Sequence, residues 1–265
     1  MDAASTRPLA LVTGASSGIG LELAKQFAAH DFDLIIAAED AELQDAARGI
    51  ASAGVDVDAV QADLATEAGI EALWARVQAG GRPLTAAALN AGVGEGGPFV
   101  DNDLRDELRI VDLNVRGTVH LAKYVVRHMT ARREGRILFT SSIASTMPGP
   151  FQAVYNASKS FVQSFALALR AELKDTGVTV TSLMPGPTDT EFFERAGMED
   201  TKIGSGHKDD PADVARDGFE AMMNGDERVV SASLSTKLQG RGSRFLPDSA
   251  KAAAHRRMAE PGSGG

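Results

Sequence analysis

The stretch Thr13-Gly14-Ala15-Ser16-Ser17-Gly18-Ile19-Gly20 joins an apolar run, residues 9–12, to a helix-like run, residues 21–27. A strand that enters a glycine-rich turn and continues into a helix leaves backbone N–H groups free at the helix N-terminus, where an anion can bind. Gly14 suits the tight turn, Gly18 lets a phosphate approach the backbone, and Gly20 lets the helix pack closely on the strand. The motif therefore predicts a dinucleotide pyrophosphate site. Because glycine accounts for 27 of the 265 residues, an ordinary strand-to-helix loop is the alternative.

Length and composition predict one larger globular domain, residues 1–265. The 36 acidic and 27 basic residues give a net charge of −9, which argues against a nucleic-acid or anionic membrane partner. The chain has no cysteine and only 5 histidines, so we expect no disulfide, no thiol chemistry and no metal site. No apolar stretch approaches about 18 residues and the first residues lack a signal core, so we expect a cytoplasmic protein.

Short apolar runs rich in β-branched residues alternate with helical patterns, which indicates repeated βαβ units and a parallel sheet. The predicted strands are residues 9–12, 33–37, 55–61, 84–89, 136–140, 178–183 and 228–231. The predicted helices lie around residues 19–29, 42–53, 68–78, 103–131, 154–176 and 211–224. No linker interrupts this alternation. Only the ends, residues 1–6 and 259–265, are expected to be loose, because their small residues bury little surface.

The strongest catalytic signal is Tyr155-Asn156-Ala157-Ser158-Lys159, at the start of a long amphipathic helix. Two residues four positions apart share one helix face, so the Lys159 ammonium should stand near the Tyr155 phenol. An adjacent positive charge favours the phenolate and would lower the tyrosine pKa by about 1–3 units, toward the range of a working acid or base. Taken alone, the pair also fits an ordinary helix face with a solvated lysine.

Other polar residues occur in matching order at predicted strand ends. Ser142 follows the strand 136–140, at the carboxyl edge where open parallel sheets bind ligands. Asn90-Ala91-Gly92 closes the strand 84–89, and Asn114 lies inside a long helix, where asparagine is unfavourable. Singly, these residues are a turn hydroxyl, a strand-end cap and a polar helix position. Together with the glycine turn they indicate one site.

From about Leu9 to Ser231, these motifs resemble the classical short-chain dehydrogenases/reductases. The resemblance implies an α/β Rossmann-type, doubly wound fold, with a seven-stranded parallel sheet and helices on both faces, and a homodimer or homotetramer built on the two long helices. It assigns Asn114, Ser142, Tyr155 and Lys159 as catalytic. It also implies a cofactor site made of Thr13, Gly14, Ser16, Ser17, Gly18, Ile19, Gly20, Asp63, Leu64, Asn90, Ala91, Gly92, Tyr155, Lys159, Pro185, Gly186, Thr188 and Thr190.

The resemblance also implies the reaction: a secondary alcohol and a ketone are interconverted by hydride transfer with NAD(P)(H). Tyr155 is then the general acid or base, and Ser142 binds the substrate oxygen. Lys159 tunes Tyr155 and holds the nicotinamide ribose, and Asn114 holds a water that links Lys159 to solvent. Two rival interpretations are a catalytically silent dinucleotide sensor or scaffold, and a nucleotide-sugar epimerase or dehydratase, whose glycine spacing differs.

Glu39 bears on the choice of cofactor. It lies about 20 residues past the turn and is followed by Asp40, where relatives that use NADP often have a basic residue. A carboxylate there can bind a ribose diol and would repel a 2′-phosphate, so NAD(H) is favoured over NADP(H). Ala38 points the other way, because NAD-dependent relatives often have Asp there and a small residue leaves room for a phosphate.

Residues 191–208 follow the predicted sixth strand and mix aromatic, aliphatic and charged side chains with three glycines. This composition suits a lid over the substrate, although a plain surface segment fits as well. Together with Met147 and Phe151, the segment predicts a mainly apolar pocket. The expected substrates are therefore medium-sized apolar or aromatic ketones and secondary alcohols rather than free sugars.

Overall fold

The computed structural model describes residues 7–231 and 247–264. Seven parallel strands form one sheet in the order β3-β2-β1-β4-β5-β6-β7. The strands are β1 Leu9–Thr13, β2 Asp33–Ala38, β3 Val57–Gln61, β4 Leu84–Leu89, β5 Gly135–Thr140, β6 Val178–Pro185 and β7 Arg228–Ser231. This confirms the predicted sheet. The order reverses between β1 and β4, which places a crevice at the carboxyl ends of these two strands.

Helices cover both faces of the sheet, as predicted. Their bounds are α1 Gly18–Ala29, α2 Leu43–Ala51, α3 Glu67–Ala79, α4 Leu104–Ile110, α5 Thr118–Arg132, α6 Ala153–Glu172, α7 Phe192–Arg195, α8 Lys202–Ser205, α9 Pro211–Asn224 and α10 Asp248–Ala259. Helices α1, α2 and α9 pack on one face of the sheet around buried residues such as Phe27 and Phe219. Helices α3, α5 and α6 pack on the other, around Trp74, Val125 and Val162. Strands β1 and β2 are buried along their whole length, as expected for strands covered on both faces.

The predicted long helix 103–131 is interrupted in the structure. Its first part is α4, its last part is α5, and between them Val111–Gly117 forms a π-helical turn. Gly117 packs closely against the loop that follows β3, and a Cβ on Gly117 would be 2.3 Å from the Leu64 carbonyl oxygen. Periodicity did not predict the turn, because one wide turn barely disturbs a 3.6-residue pattern.

The chain end differs from expectation. The predicted loose segment 259–265 is ordered where the structure describes it, because the Gly264 N–H donates to the Asp200 carbonyl oxygen at 2.8 Å and the Gly262 N–H donates to Asp200 Oδ2 at 2.8 Å. Ala259 is buried. Small residues need little room, and here they fit against the loop after α7. Residues 1–6 and Gly265 of the two predicted loose ends lie outside the described residues.

Candidate active site

The glycine turn lines one end of a cavity of about 1830 Å³ at the carboxyl edge of the sheet. Gly18 has a φ of +53°, and a Cβ there would lie 2.9 Å from Thr190 Cγ2. At Gly20 a Cβ would lie 1.9 Å from the Gly14 carbonyl oxygen, so only glycine permits this packing of α1 on β1. Ser17 caps α1 without a side-chain hydrogen bond, which leaves the first N–H groups of the helix available to an anion. These features fit a bound pyrophosphate.

Three strand ends behind the turn are joined by side chains. Thr13 Oγ1 accepts hydrogen bonds from the backbone N–H groups of Asn90 and Ala91, both at 3.0 Å. Asn90 Nδ2 donates to the Thr13 carbonyl oxygen at 3.2 Å, and Asn90 Oδ1 accepts from Thr140 Oγ1 at 3.0 Å. The ends of β1, β4 and β5 are therefore held at fixed separations.

Nearly all of the predicted site residues lie on this cavity. The exceptions are Thr13 and Asn114, which are buried behind its wall. The predicted residues that line the cavity are Gly14, Ser16, Ser17, Gly18, Ile19, Gly20, Glu39, Asp63, Leu64, Asn90, Ala91, Gly92, Ser142, Tyr155, Lys159, Pro185, Gly186, Thr188 and Thr190.

Tyr155 does not have the lowered pKa that its spacing from Lys159 predicts. Burial raises the pKa of Tyr155 to about 12, and a hydrogen bond with the Ser142 side chain only partly offsets this. Lys159 Nζ stands 5.9 Å from the centre of the Tyr155 ring. The prediction was wrong because it counted the neighbouring charge and left out the loss of water around both groups. In the protein alone, Tyr155 is a protonated phenol at neutral pH.

Lys159 is buried, and burial lowers its pKa to about 8. Its Nζ donates a hydrogen bond to the Thr140 carbonyl oxygen at 3.0 Å. Gly92 leaves room for this ammonium group, since a Cβ at Gly92 would lie 3.0 Å from Nζ. The side chain is thus held between the ends of β4 and β5.

Asn114 comes from the π-helical turn and its amide bonds to its neighbours. Oδ1 accepts from the Val93 N–H at 2.9 Å, while Nδ2 donates to the Val93 carbonyl oxygen at 2.9 Å and to Ser158 Oγ at 3.0 Å. Both amide protons are therefore used within the protein. Asn114 therefore links the loop after β4 to α6, and its contact on α6 is Ser158, the residue before Lys159.

The far end of the cavity is acidic, and two of its carboxylates pair with Arg109, a residue that the sequence did not indicate. Arg109 forms an ion pair with Glu39 and a second one with Asp63, whose Oδ2 lies 3.2 Å from Nη1. Burial alone would raise the pKa of Asp63, but hydrogen bonds from Arg109 and from the Ala65 N–H hold it below the ordinary value. Asp40 Oδ2 accepts from Ser16 Oγ at 2.9 Å. No local pattern indicates Arg109, because α4 reaches this end only through the tertiary fold.

The other end of the cavity, beside Tyr155, is lined by aromatic and aliphatic side chains. The Phe192 ring lies 5.1 Å from the Tyr155 ring, and Gly94 leaves it space, since a Cβ there would be 2.5 Å from Phe192 Cζ. Within the predicted lid, Phe193 and Met198 are buried against Ala259. The segment therefore packs on the C-terminal part of the chain as a small separate cluster.

Helix α10 also supplies cavity residues that the sequence analysis did not identify. Lys251, Ala254, His255 and Met258 line the cavity, as does Gln152 just before α6. The signal for α10 was present, because Pro247 and Asp248 precede an alanine-rich run. Nothing in that run places it over the sheet edge.

Among residues 7–231 and 247–264, every helix is too short or too polar to span a membrane. The same residues contain no group of three or more His, Asp or Glu side chains that could hold a metal ion.

Comparison with known proteins gives one family. Its model, described as short chain dehydrogenase, matches residues 8–200. Oxidoreductase UcpA of Salmonella typhimurium is 30% identical over 218 residues, which is 82% of this chain and 81% of that protein.

Solved structures give the same result. A short-chain dehydrogenase from Sphingobium yanoikuyae in complex with NADPH has a TM-score of 0.80 at 27% identity, over 89% of this chain and 93% of its own. A 3-ketoacyl-(acyl-carrier-protein) reductase from Brucella melitensis complexed with NADH has a TM-score of 0.75 at 26% identity, over 85% and 96%.

Proposed function

The chain belongs to the short-chain dehydrogenase family, and from this premise we propose that it is an NAD(P)-dependent oxidoreductase that interconverts a secondary alcohol and a ketone. The observation that carries the proposal is the placement of Tyr155, Ser142 and Lys159 on the same cavity as the glycine turn. Similar proteins that were solved with NADPH and with NADH support the cofactor class.

The proton chemistry follows from the side chains. A bound nicotinamide would supply or accept the hydride. In the direction of reduction, Tyr155 donates its phenolic proton to the carbonyl oxygen; in the direction of oxidation, the phenolate takes the proton of the alcohol. Ser142 donates a hydrogen bond to the same oxygen, whose negative charge is greatest in the transition state. The raised pKa of Tyr155, about 12, keeps the proton on the phenol at neutral pH, as proton donation to a carbonyl oxygen requires.

Lys159 and Asn114 support this step. The Lys159 ammonium binds ribose hydroxyls and stabilises the phenolate that remains after proton transfer. We expect the proton to be replaced from solvent through a water near Lys159 and the π-helical turn. The Asn114 amide protons are occupied by Val93 and Ser158, so a backbone oxygen of the turn is the better partner for this water.

We further propose that NAD(H) is preferred over NADP(H). Glu39, Asp40 and Asp63 line the end of the cavity beyond the glycine turn. One guanidinium, Arg109, is shared between Glu39 and Asp63 and leaves this end with a net negative charge. A 2′-phosphate would add two further negative charges there, whereas a ribose diol could donate hydrogen bonds to Glu39.

We also propose that the protein is a homodimer or homotetramer. Leu104, Leu108 and Val111 are exposed on α4 and the π-helical turn, and Phe161 is exposed on the neighbouring α6. Large apolar side chains exposed on two packed helices are typical of a surface that a partner covers. Sedimentation of the wild type beside Leu108→Glu tests this, and a monomeric wild type would contradict it.

The function is tested with a panel of ketones, secondary alcohols and sugars, monitored by nicotinamide absorbance with both cofactors. Tyr155→Phe should lower kcat by at least about a hundredfold and leave cofactor affinity within about twofold, since only the proton donor is lost. Tyr124 is the other tyrosine of the chain and bonds to Glu71 on the surface, so Tyr124→Phe is the matched control.

The results separate the alternatives. Tight cofactor binding without turnover on any carbonyl would favour the sensor interpretation. A Tyr155→Phe variant with normal turnover would refute the assignment of the acid. Higher kcat/KM with NADPH than with NADH would refute the cofactor preference.

A further inference from the structure

His255 is a buried histidine on α10, outside the residues that the family model matches. It is 2% exposed and lines the cavity together with Tyr155. Its Nδ1 lies 3.1 Å from the Pro150 carbonyl oxygen. A carbonyl oxygen can only accept a hydrogen bond, so Nδ1 carries the proton and donates it.

This hydrogen bond determines the state of the other ring nitrogen. In a neutral imidazole whose Nδ1 is protonated, Nε2 carries a lone pair and is an acceptor. Burial lowers the pKa of His255, which keeps the ring neutral near pH 7. Within the described part of the chain, Nε2 is buried and has no hydrogen-bond partner.

The surroundings of His255 make this acceptor conspicuous. The same cavity is lined by Phe193, Ile203 and Met258, whose side chains have no hydrogen to donate. Lys251, one turn earlier on α10, also lines it, and its Nζ donates to Asp248 Oδ1 at 3.1 Å. A buried acceptor without a donor is unfavourable, so a ligand that brings a donor gains affinity over one that does not. The reacting oxygen of a substrate would be bound by Ser142 and Tyr155, so a donor for His255 must come from another part of the molecule.

We propose that His255 Nε2 accepts a hydrogen bond from a hydroxyl group that the substrate carries away from its reacting carbon. The preferred substrates are then apolar ketones with a second, hydroxyl-bearing position, and the corresponding alcohols. This inference rests on the proposed function and names the substrate class for that site. A site that binds a substrate hydroxyl discriminates strongly against the analogue that lacks it.

A purely structural role for His255 makes a different prediction. The Pro150 contact lies beside Phe151, which has a φ of +65° and whose ring lies 5.4 Å from the Arg256 guanidinium. His255 could serve only to hold this turn, and its loss would then weaken the use of every substrate equally. His255→Asn separates the two roles. The asparagine Nδ2 can still donate to Pro150, while nothing remains at the position of Nε2.

The experiment uses aryl alkyl ketones with a phenolic hydroxyl at the ortho, meta or para position, together with their methyl ethers and unsubstituted parents. With the wild type, at least one phenol should exceed both its ether and its parent by about tenfold in kcat/KM. In His255→Asn this preference should fall below about twofold, with the parent ketone used within about threefold of the wild-type level.

Three results would overturn the inference: no phenol preferred by more than about threefold, a preference that survives in His255→Asn, or an equal loss on all substrates.

If His255→Asn does not fold, His255→Gln replaces it. The amide oxygen of the glutamine can reach the Nε2 position, so the preference for the phenol should persist in part. Complete absence of that preference in His255→Gln would overturn the inference. If no ketone is turned over, the proposed function fails separately. Calorimetric titration of the same phenols and ethers into the wild type and the variant then decides the role of His255, because binding needs no turnover; equal affinities for phenol and ether overturn it.

Discussion

The two ends of the cavity are built in different ways. At the glycine turn, the ends of β1, β4 and β5 are joined by hydrogen bonds among Thr13, Asn90 and Thr140. Beside Tyr155, the wall consists of α7, α8 and α10, which hold together through a small apolar cluster around Phe193 and Met198. The end at the glycine turn is thus built from the strands of the sheet, whereas the end beside Tyr155 is built from helices that pack on the sheet.

This difference separates two requirements. The similar proteins solved with NADPH and with NADH hold dinucleotides that share a pyrophosphate and a nicotinamide, so an end that binds these groups can be rigid and can be specified by short motifs. The wall beside Tyr155 combines α7, inside the matched residues 8–200, with α8 and α10, which lie beyond them. A small cluster of few buried residues opens at lower free energy than a sheet core. We therefore expect substitutions at the two ends to have effects of different size and kind.

The largest effect is expected at Gly20. In Gly20→Ala the new Cβ would lie 1.9 Å from the Gly14 backbone oxygen, and no side chain can move to relieve the overlap. We expect a loss of more than about 3 kcal/mol in the free energy of unfolding and no measurable NADH binding. Gly49→Ala in α2 is the control: no atom lies within 4 Å of its Cβ, so it should be neutral or stabilising. Equal effects of the two changes, measured by urea denaturation, would contradict the rigid-turn interpretation.

Next in size is a stabilising change at the catalytic lysine. The shift of the Lys159 pKa from 10.5 to about 8 means that burying its charge costs about 3 kcal/mol below pH 8. Lys159→Met removes this cost but also the hydrogen bond to Thr140, so the cofactor-free variant should be about 2 kcal/mol more stable at pH 7.

The pH dependence gives the sign of this effect. Between pH 8 and 10.5 the unfolded wild type binds the Lys159 proton and the folded protein does not, so the wild type gains stability as the pH rises. The advantage of Lys159→Met should therefore shrink across this range, and urea denaturation at pH 7 and pH 10 measures it. A destabilised variant at pH 7 would show that the buried lysine stabilises the fold.

At the substrate end the expected effect on global stability is smaller. Phe193→Ala should raise KM for ketones about tenfold and change the free energy of unfolding by less than about 1 kcal/mol, since its cluster opens before the sheet unfolds. Phe27→Ala, in the sheet core between Phe32 and Phe219, should cost about 3–5 kcal/mol. If both variants lost equal stability, the two ends would be one cooperative unit.

The smallest effect concerns the lid, residues 191–208. We expect trypsin to cut at Arg195 and Lys202, both exposed, several-fold more slowly when cofactor and substrate are bound. Cleavage at Arg132 is the internal reference, because this residue precedes β5 and lies at the amino edge of the sheet, away from the cavity. Equal protection at both places, or none in the lid, would remove the lid from the mechanism.

The sequence analysis predicted that the glycine turn and the strand-end residues share one site, and they line one cavity in the structure because each depends on a local pattern. Their binding of a cofactor stays a prediction. The glycine turn and the strand-end residues depend on spacing within one βα unit, and the seven strands depend on apolar runs that any sheet of this kind shows. The positions of Tyr155, Ser142 and Lys159 follow for the same reason. The raised pKa of Tyr155 did not follow, since it depends on how much of the water around the phenol the fold removes.

Contacts between distant parts of the chain could not be predicted in the same way at either end of the cavity. Arg109 reaches Glu39 across 70 positions of the chain, and His255 reaches Pro150 across 105. Contacts at such separations depend on the final packing of helices and leave no local pattern. The packed residues 259–264 were missed for the same reason, because their composition alone resembles that of a loose chain end.

The π-helical turn, Val111–Gly117, limits how the length of this chain can vary. Each residue advances an α-helix by about 100°, so the wide turn shifts the phase of α5 relative to α4 by roughly one residue. That shift lets Asn114 face the strand ends while Val125 and Met129 face the core, both with no exposed surface. Deleting one residue here would restore a regular helix and turn one of these two sets away from its partners. We therefore expect substitutions at exposed positions of the turn to be tolerated and insertions or deletions to be disruptive, since the segment is a spacer of fixed length between the site and the core.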